Sequence, residues 1–162
     1  MRVYVPATVP LLRQWLAEGR APAGLAWAVS PALREWYREG DQEEMEYVAQ
    51  LAAGRAALDL LAADHGAPRL RVVIAAEAPD DGVAPTNGPR GQVWVGAPLP
   101  LDCWASALVD GADAEPVVAA AVAALPAAAA GDDDAAFALD DAAAAELGWY
   151  AVQELELLLD DL

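Results

Sequence analysis

The chain contains no lysine, one histidine (His65) and one cysteine (Cys103), and no basic residue follows Arg90. Each shortage removes a class of function. A single cysteine cannot form an internal disulfide, which points to a reducing compartment. One His and one Cys exclude the zinc sites built on several such ligands. No GxSxG, phosphate-binding loop or GxGxxG stretch occurs. A basic segment leading into an apolar core is also missing at the N-terminus, where Met1-Arg2 runs directly into VYVP. The expectation is therefore a cytoplasmic protein. The longest uncharged run, residues 116–131, is mostly alanine and is interrupted by Pro126. It is too short to span a bilayer, so no membrane association is expected.

What is present is alanine and negative charge. Alanine fills 41 of the 162 positions. It favours helix but adds little burial per residue, so Leu, Val and the six Trp must form the core. All nine basic residues are arginine, which together with the alanine load reads as the codon bias of a GC-rich genome. A chain of this length buries about two-thirds of its unfolded surface and needs no metal or disulfide to hold it. The net charge is −17, unevenly placed. Residues 1–90 carry nine Arg against twelve Asp and Glu, or −3, whereas residues 91–162 carry fourteen acidic residues and no basic one, or −14. Such a surface repels a nucleic-acid duplex or an anionic membrane. Its simplest role is solubility, and the more specific alternatives are a basic protein partner or mimicry of nucleic acid.

The pattern along the chain alternates strand and helix. Arg2–Pro6 reads as a strand. Thr8 is an N-cap with Pro10 in the first turn, Leu12, Trp15 and Leu16 form an apolar stripe, and Gly19 is the stop. Leu25–Val29 reads as a second strand, followed by Ser30-Pro31 opening a helix with Leu33, Trp36 and Tyr37 on its buried face. Asp41 caps a long helix over residues 42–63, with Tyr47, Leu51, Leu58 and Leu61 as its stripe. Residues 70–78 (LRVVIAAEA) are the clearest strand, apolar enough for burial on both faces. The turn-rich loop 79–91 leads to a strand at 92–97, expected to pair antiparallel with 70–78, and to another at 104–109. A helix runs from about Asp113 to Leu125. Residues 126–140 are a low-complexity loop, with room for a short Ala-rich helix after Asp134, 147–152 is either strand or helix, and 153–161 is a closing helix or the continuation of that segment. This order predicts an α/β fold, with mixed α+β as the alternative. The expectation is one domain over 1–162 with a single mixed sheet of five to six strands packed by helices. Parallel pairs arise from the two early crossovers, and a helical hairpin lies between strands 2 and 3.

The segments MRVYVPAT, SPALREWYREGDQEEMEY and RVVIAAEAP, with WYAVQEL near the C-terminus, resemble an uncharacterised family of small proteins encoded in actinobacterial genomes. The resemblance is clearest over residues 1–80 and weakest over 112–145. It implies a bacterial, cytoplasmic protein and carries no activity and no site residue.

Candidate chemistry is sparse. His65 ends the long helix, where the dipole favours a cation. Cys103 has no cation near it in sequence to lower its pKa. The aspartate runs 80–81, 132–134 and 140–141 lack the spacing of a calcium loop and read as solvated, and Glu35, Glu39, Glu43, Glu44 and Glu46 read as an acidic helix face. TNGPRG at 86–91 is turn chemistry. No catalytic residue, metal ligand or cofactor is therefore assigned. If strands 1–3 are parallel, their C-terminal ends bring together Thr8, Ser30, Arg34 and Glu77, and two helix N-termini could hold a small anion there. The expected function is non-enzymatic binding to a protein partner or a second copy. The alternative is a small enzyme or a protein binding a small anion or metabolite at that mouth.

Overall fold

A computed structural model describes all residues, 1–162. The first strand, β1 (Arg2–Ala7), leads through Thr8 into helix α1 (Val9–Glu18), which Gly19 ends in the left-handed conformation at φ 72°. Two short strands follow, β2 (Arg20–Ala21) and β3 (Gly24–Ala28). Ser30 caps α2 (Pro31–Trp36) and Asp41 caps α3 (Gln42–Ala63). The chain then forms β4 (Val72–Glu77), β5 (Val83–Pro85), β6 (Gln92–Val95), β7 (Leu99–Pro100) and β8 (Trp104–Val109). It closes with α4 (Glu115–Ala129), α5 (Asp133–Ala144), β9 (Gly148–Tyr150) and α6 (Leu155–Asp160).

Seven strands form one sheet in the order β5-β6-β3-β1-β4-β8-β9, and β2 pairs with β7 in a separate ribbon. Every pair is antiparallel. The fold is thus mixed α+β, and the expected parallel pairs are absent. The reason lies in β2. A crossover gives a parallel neighbour only when its helix carries the chain back to the starting end of the first strand. Here α1 delivers the chain into the β2–β7 ribbon, and β3 enters the sheet at the end where β1 left it. The strand at 92–95 likewise pairs with β3 and β5 rather than with β4.

β4 lies between β1 and β8 and is buried from Val72 to Ala76, as its apolar run predicts. Alternation sends side chains to two faces. On one face Val3, Val5, Val72, Ile74, Ala107 and Val109 pack with Leu12 and Trp15 of α1 and Leu155 and Leu159 of α6. On the other, Tyr4, Trp27, Val73, Ala75 and Leu108 meet Ala49 and Ala53 of α3. The buried side of α3 is Met45, Ala49, Ala53, Ala57, Leu58 and Leu61, so Leu58 and Leu61 of the expected stripe are buried whereas Tyr47 is turned outward and Leu51 is only partly covered. Alanine brings helix and sheet close, and larger side chains on neighbouring positions are displaced to the flanks.

Residues 126–140, read from sequence as a loop with room for a short helix after Asp134, are mostly helical, and that short helix is α5. α4 continues through Pro126, a short turn follows, and the Asp132 side chain accepts from the Ala135 N–H (2.9 Å) to start α5. Alanine propensity outweighs the single missing N–H of an exposed proline near the helix end. The stretch Ala112–Ala129 is long and apolar enough by composition to cross a membrane. In the fold its Val118 and Ala121 pack with Leu58 and Leu61 of α3 and Ala142 of α5.

One buried ion pair ties the layers together. Arg71, just before β4, donates from Nε and Nη2 to the two carboxylate oxygens of Asp110, just after β8, each at 2.8 Å. The Arg71 backbone N–H also donates to Asp110 (2.7 Å), and Nη2 reaches the Ala145 carbonyl at the end of α5 (3.0 Å). Both side chains are almost wholly buried. Asp110→Ala leaves a guanidinium buried without its counter-charge, so urea unfolding is expected to show a loss of about 3–5 kcal/mol. A loss below about 1 kcal/mol would contradict the role given to this pair.

Candidate functional site

The antiparallel sheet decides where the sequence-predicted residues fall. Because β1 and β3 run in opposite directions, Thr8 and Ser30 stand at opposite ends of the sheet. Arg2 pairs in register with Glu77, and Val3 with Ala28, so Glu77 and Ser30 share the end where β1 begins. Thr8 is buried and accepts from the Leu11 N–H (3.3 Å), and Ser30 accepts from the Leu33 N–H (3.2 Å). Arg34 donates to the Gln42 side chain (2.9 Å). Glu77 accepts from Arg2 Nε (2.6 Å) and lies 3.8 Å from the Met1 ammonium. That carboxylate raises the Arg2 pKa. The four residues form no common mouth, and each is engaged locally.

The largest concavity lies elsewhere. It is a cleft of about 890 Å³ between α3 and the β3–β6 wing of the sheet. In register, Leu25 of β3 stands opposite Trp94 of β6, and Trp27 opposite Gln92. Val93 and Val95 belong to the core on the opposite face, so alternation sends Leu25, Trp27 and Trp94 to the face that α3 occupies. Near β1 the helix covers that face, and Trp27 is buried beneath it. Further out the cover ends, leaving Leu25 50% and Trp94 48% exposed.

The helix wall of the cleft is Ala52, Arg55, Ala56, Asp59 and Leu60, a stripe adjoining the one buried on the sheet. Arg55 lies 3.9 Å from Asp59, one turn on, with both side chains largely in water. Pro6, Leu11 and Pro22 close one end, and Pro89 and Arg90 the other. The Pro89–Arg90 end is held by Gly91, which has φ 88° and whose carbonyl accepts from the Ala28 N–H (2.8 Å). A Cβ there would meet the Ala28 carbonyl oxygen at 3.3 Å, in a region L-residues avoid. Arg90 lies over the ring of Trp36 at 4.9 Å. Trp36 is itself 58% exposed, because α2 stops after six residues instead of laying its aromatic face into the core.

The one histidine and the one cysteine stand apart from this cleft. His65 follows the end of α3 and Cys103 sits in the turn before β8. Burial and the adjacent Asp102 carboxylate push the Cys103 thiol up, which disfavours the thiolate. Burial is also the main cause that raises Tyr4, reinforced by the Glu46 carboxylate. No three His, Cys, Asp or Glu side chains are grouped to hold a metal ion.

The molecule is therefore an α+β fold whose most spacious concavity is an aromatic-floored cleft beside a partly uncovered sheet. The chain belongs to DUF6912, a family of unknown function, whose model matches residues 1–159. No curated protein and no solved structure matches it. The residues of the cleft escaped the sequence reading for a plain reason. Leu25, Trp27 and Trp94 look like ordinary alternating strand positions, and only the strand order shows that α3 fails to cover them. Arg90, the last basic residue before the acidic half, was the one visible signal.

Gly91→Ala is expected to lower stability by about 1 kcal/mol and to loosen the Pro89–Arg90 end, read by thermal melting and amide exchange at Ala28. Unchanged melting and exchange would mean the loop is not held there. Cys103 is expected to react with a disulfide reagent near neutral pH more slowly than a free thiol, and a faster reaction would contradict its raised pKa.

Proposed function

We propose that this protein acts by binding, and that the cleft between α3 and the β3–β6 wing receives a small molecule with a flat apolar body. The observation that carries the reading is the pair Leu25 and Trp94. These are neighbours across two strands, half in water, and they continue the buried floor of Trp27 outward. A volume of about 890 Å³ falls in the range of small-molecule sites, which are mostly apolar with a few placed polar groups. Aromatic floors suit flat ligands, since ring faces supply large contact area at low conformational cost. The titratable side chains lining the cleft are Arg55, Asp59 and Arg90, and Asp59 stands 72% exposed beside Arg55. That set offers orientation and charge, with no nucleophile held against a base, and so favours binding over catalysis.

The reading predicts saturable, one-to-one binding of an uncharged aromatic fluorophore such as phenylnaphthylamine. Trp94→Ala removes half-exposed floor without opening the core, and is expected to weaken binding about tenfold with the fold intact by circular dichroism. Trp149→Ala removes a still more exposed tryptophan on β9, away from the cleft, and leaves affinity unchanged. Non-saturable binding, or equal effects of the two substitutions, would overturn the proposal.

A further inference from the structure

Arg90 differs from the other arginine of the cleft, Arg55, which pairs with Asp59. Elsewhere Arg2 pairs with Glu77 and Arg71 with Asp110, Arg34 donates to Gln42, and Arg13, Arg38 and Arg69 donate to main-chain carbonyls. Arg20, exposed on β2, has no side-chain partner either but lies outside the cleft. Arg90 enters none of the ion pairs, and its guanidinium carbon stands over the Trp36 ring, 4.9 Å from its centre. The edge of that group, which carries the N–H donors, is left without a protein acceptor. Its position is set by the backbone, through Gly91 and the Ala28 hydrogen bond, and by the Trp36 ring. It lines the cleft and also a neighbouring cavity of about 470 Å³ that includes Ser30 and Thr86.

The charge lining the cleft is one Asp and two Arg. Asp59 offsets Arg55, which leaves Arg90 as the surplus cation in a chain of net charge −17. We infer that the ligand of the cleft is a small amphipathic anion. Its flat apolar body lies on Trp27, Leu25 and Trp94, and a carboxylate-like or sulfonate-like group lies against the open edge of Arg90. This inference rests on the cleft being the binding site. A cationic ligand would meet like charge at the cleft's Pro89–Arg90 end, and a wholly apolar one would leave the guanidinium unused there. A guanidinium edge presents paired donors that match a planar or tetrahedral oxyanion.

Two probes with the same aromatic body separate the inference from the reading beneath it. Anilinonaphthalenesulfonate carries the anionic group, and phenylnaphthylamine lacks it. In fluorescence titrations the unsubstituted protein is expected to bind the sulfonate about fivefold more tightly than the neutral probe, the scale of a solvent-exposed charge contact. Arg90→Gln is expected to abolish that preference, so that the variant binds the two probes about equally, and Arg90→Lys to retain part of it. Trp94→Ala weakens both probes alike. Equal affinity for the two probes, or a preference that survives Arg90→Gln, overturns the anion inference and leaves the cleft reading standing. Failure of the neutral probe to bind saturably, or its indifference to Trp94→Ala, overturns the cleft reading itself.

Discussion

The constraint that organises this molecule is a mismatch of widths. Seven strands spaced about 4.8 Å apart make a sheet roughly 29 Å across, and one helix is about 10 Å wide. α3 alone lies along the Tyr4–Trp27 face, over its centre. α4 and α5 pack on α3 through Val118, Ala121 and Ala142 and do not extend its cover of the sheet, so Trp149 of β9, opposite Leu108 on this face, is also exposed. On the β3–β6 side no helix follows, and the cleft is what remains between α3 and that wing. The Arg71–Asp110 pair joins β4, β8 and the end of α5.

The composition of α3 makes that arrangement possible. Ala49, Ala53 and Ala57 let the helix sit close to the sheet, and the same closeness gives its flank, Ala52 and Ala56, a steep wall. Bulkier residues along the buried stripe would lift the helix and make the cleft shallower. Local backbone devices set the far side. The brief α2 leaves Trp36 in water, where it supports Arg90, and Gly91 fixes the turn on which Arg90 stands.

Much of the local structure was legible in the sequence because it depends on few residues. Thr8, Ser30 and Asp41 cap the helices assigned to them, Gly19 stops α1, and the apolar run at 72–77 is an interior strand of the sheet. The sheet topology was not legible, because β2, β5 and β7 are two or three residues long and two of them contain proline. Strands of that length leave no periodic signal, yet β2 is the element that reverses the expected direction of β3. The face of α3 was obscured for another reason: alanine occurs all round the helix, so Tyr47 and Leu51 looked like the stripe. The candidate mouth at Thr8, Ser30, Arg34 and Glu77 followed from parallel strands and is not assembled once they are antiparallel. The cleft depends on what covers what, a long-range property that alternation at Leu25 and Trp94 cannot reveal alone.

The account stands on the cleft being where a ligand sits, and the six tryptophans are natural reporters of that. Their indole N–H signals in a proton–nitrogen correlation spectrum can be followed while an aromatic ligand is titrated. The account predicts that the signals of Trp27 and Trp94, on the cleft floor, move together and saturate, while Trp104, in the core of the opposite face, and Trp149, on β9, stay still. Movement of Trp149 without Trp94 would contradict it.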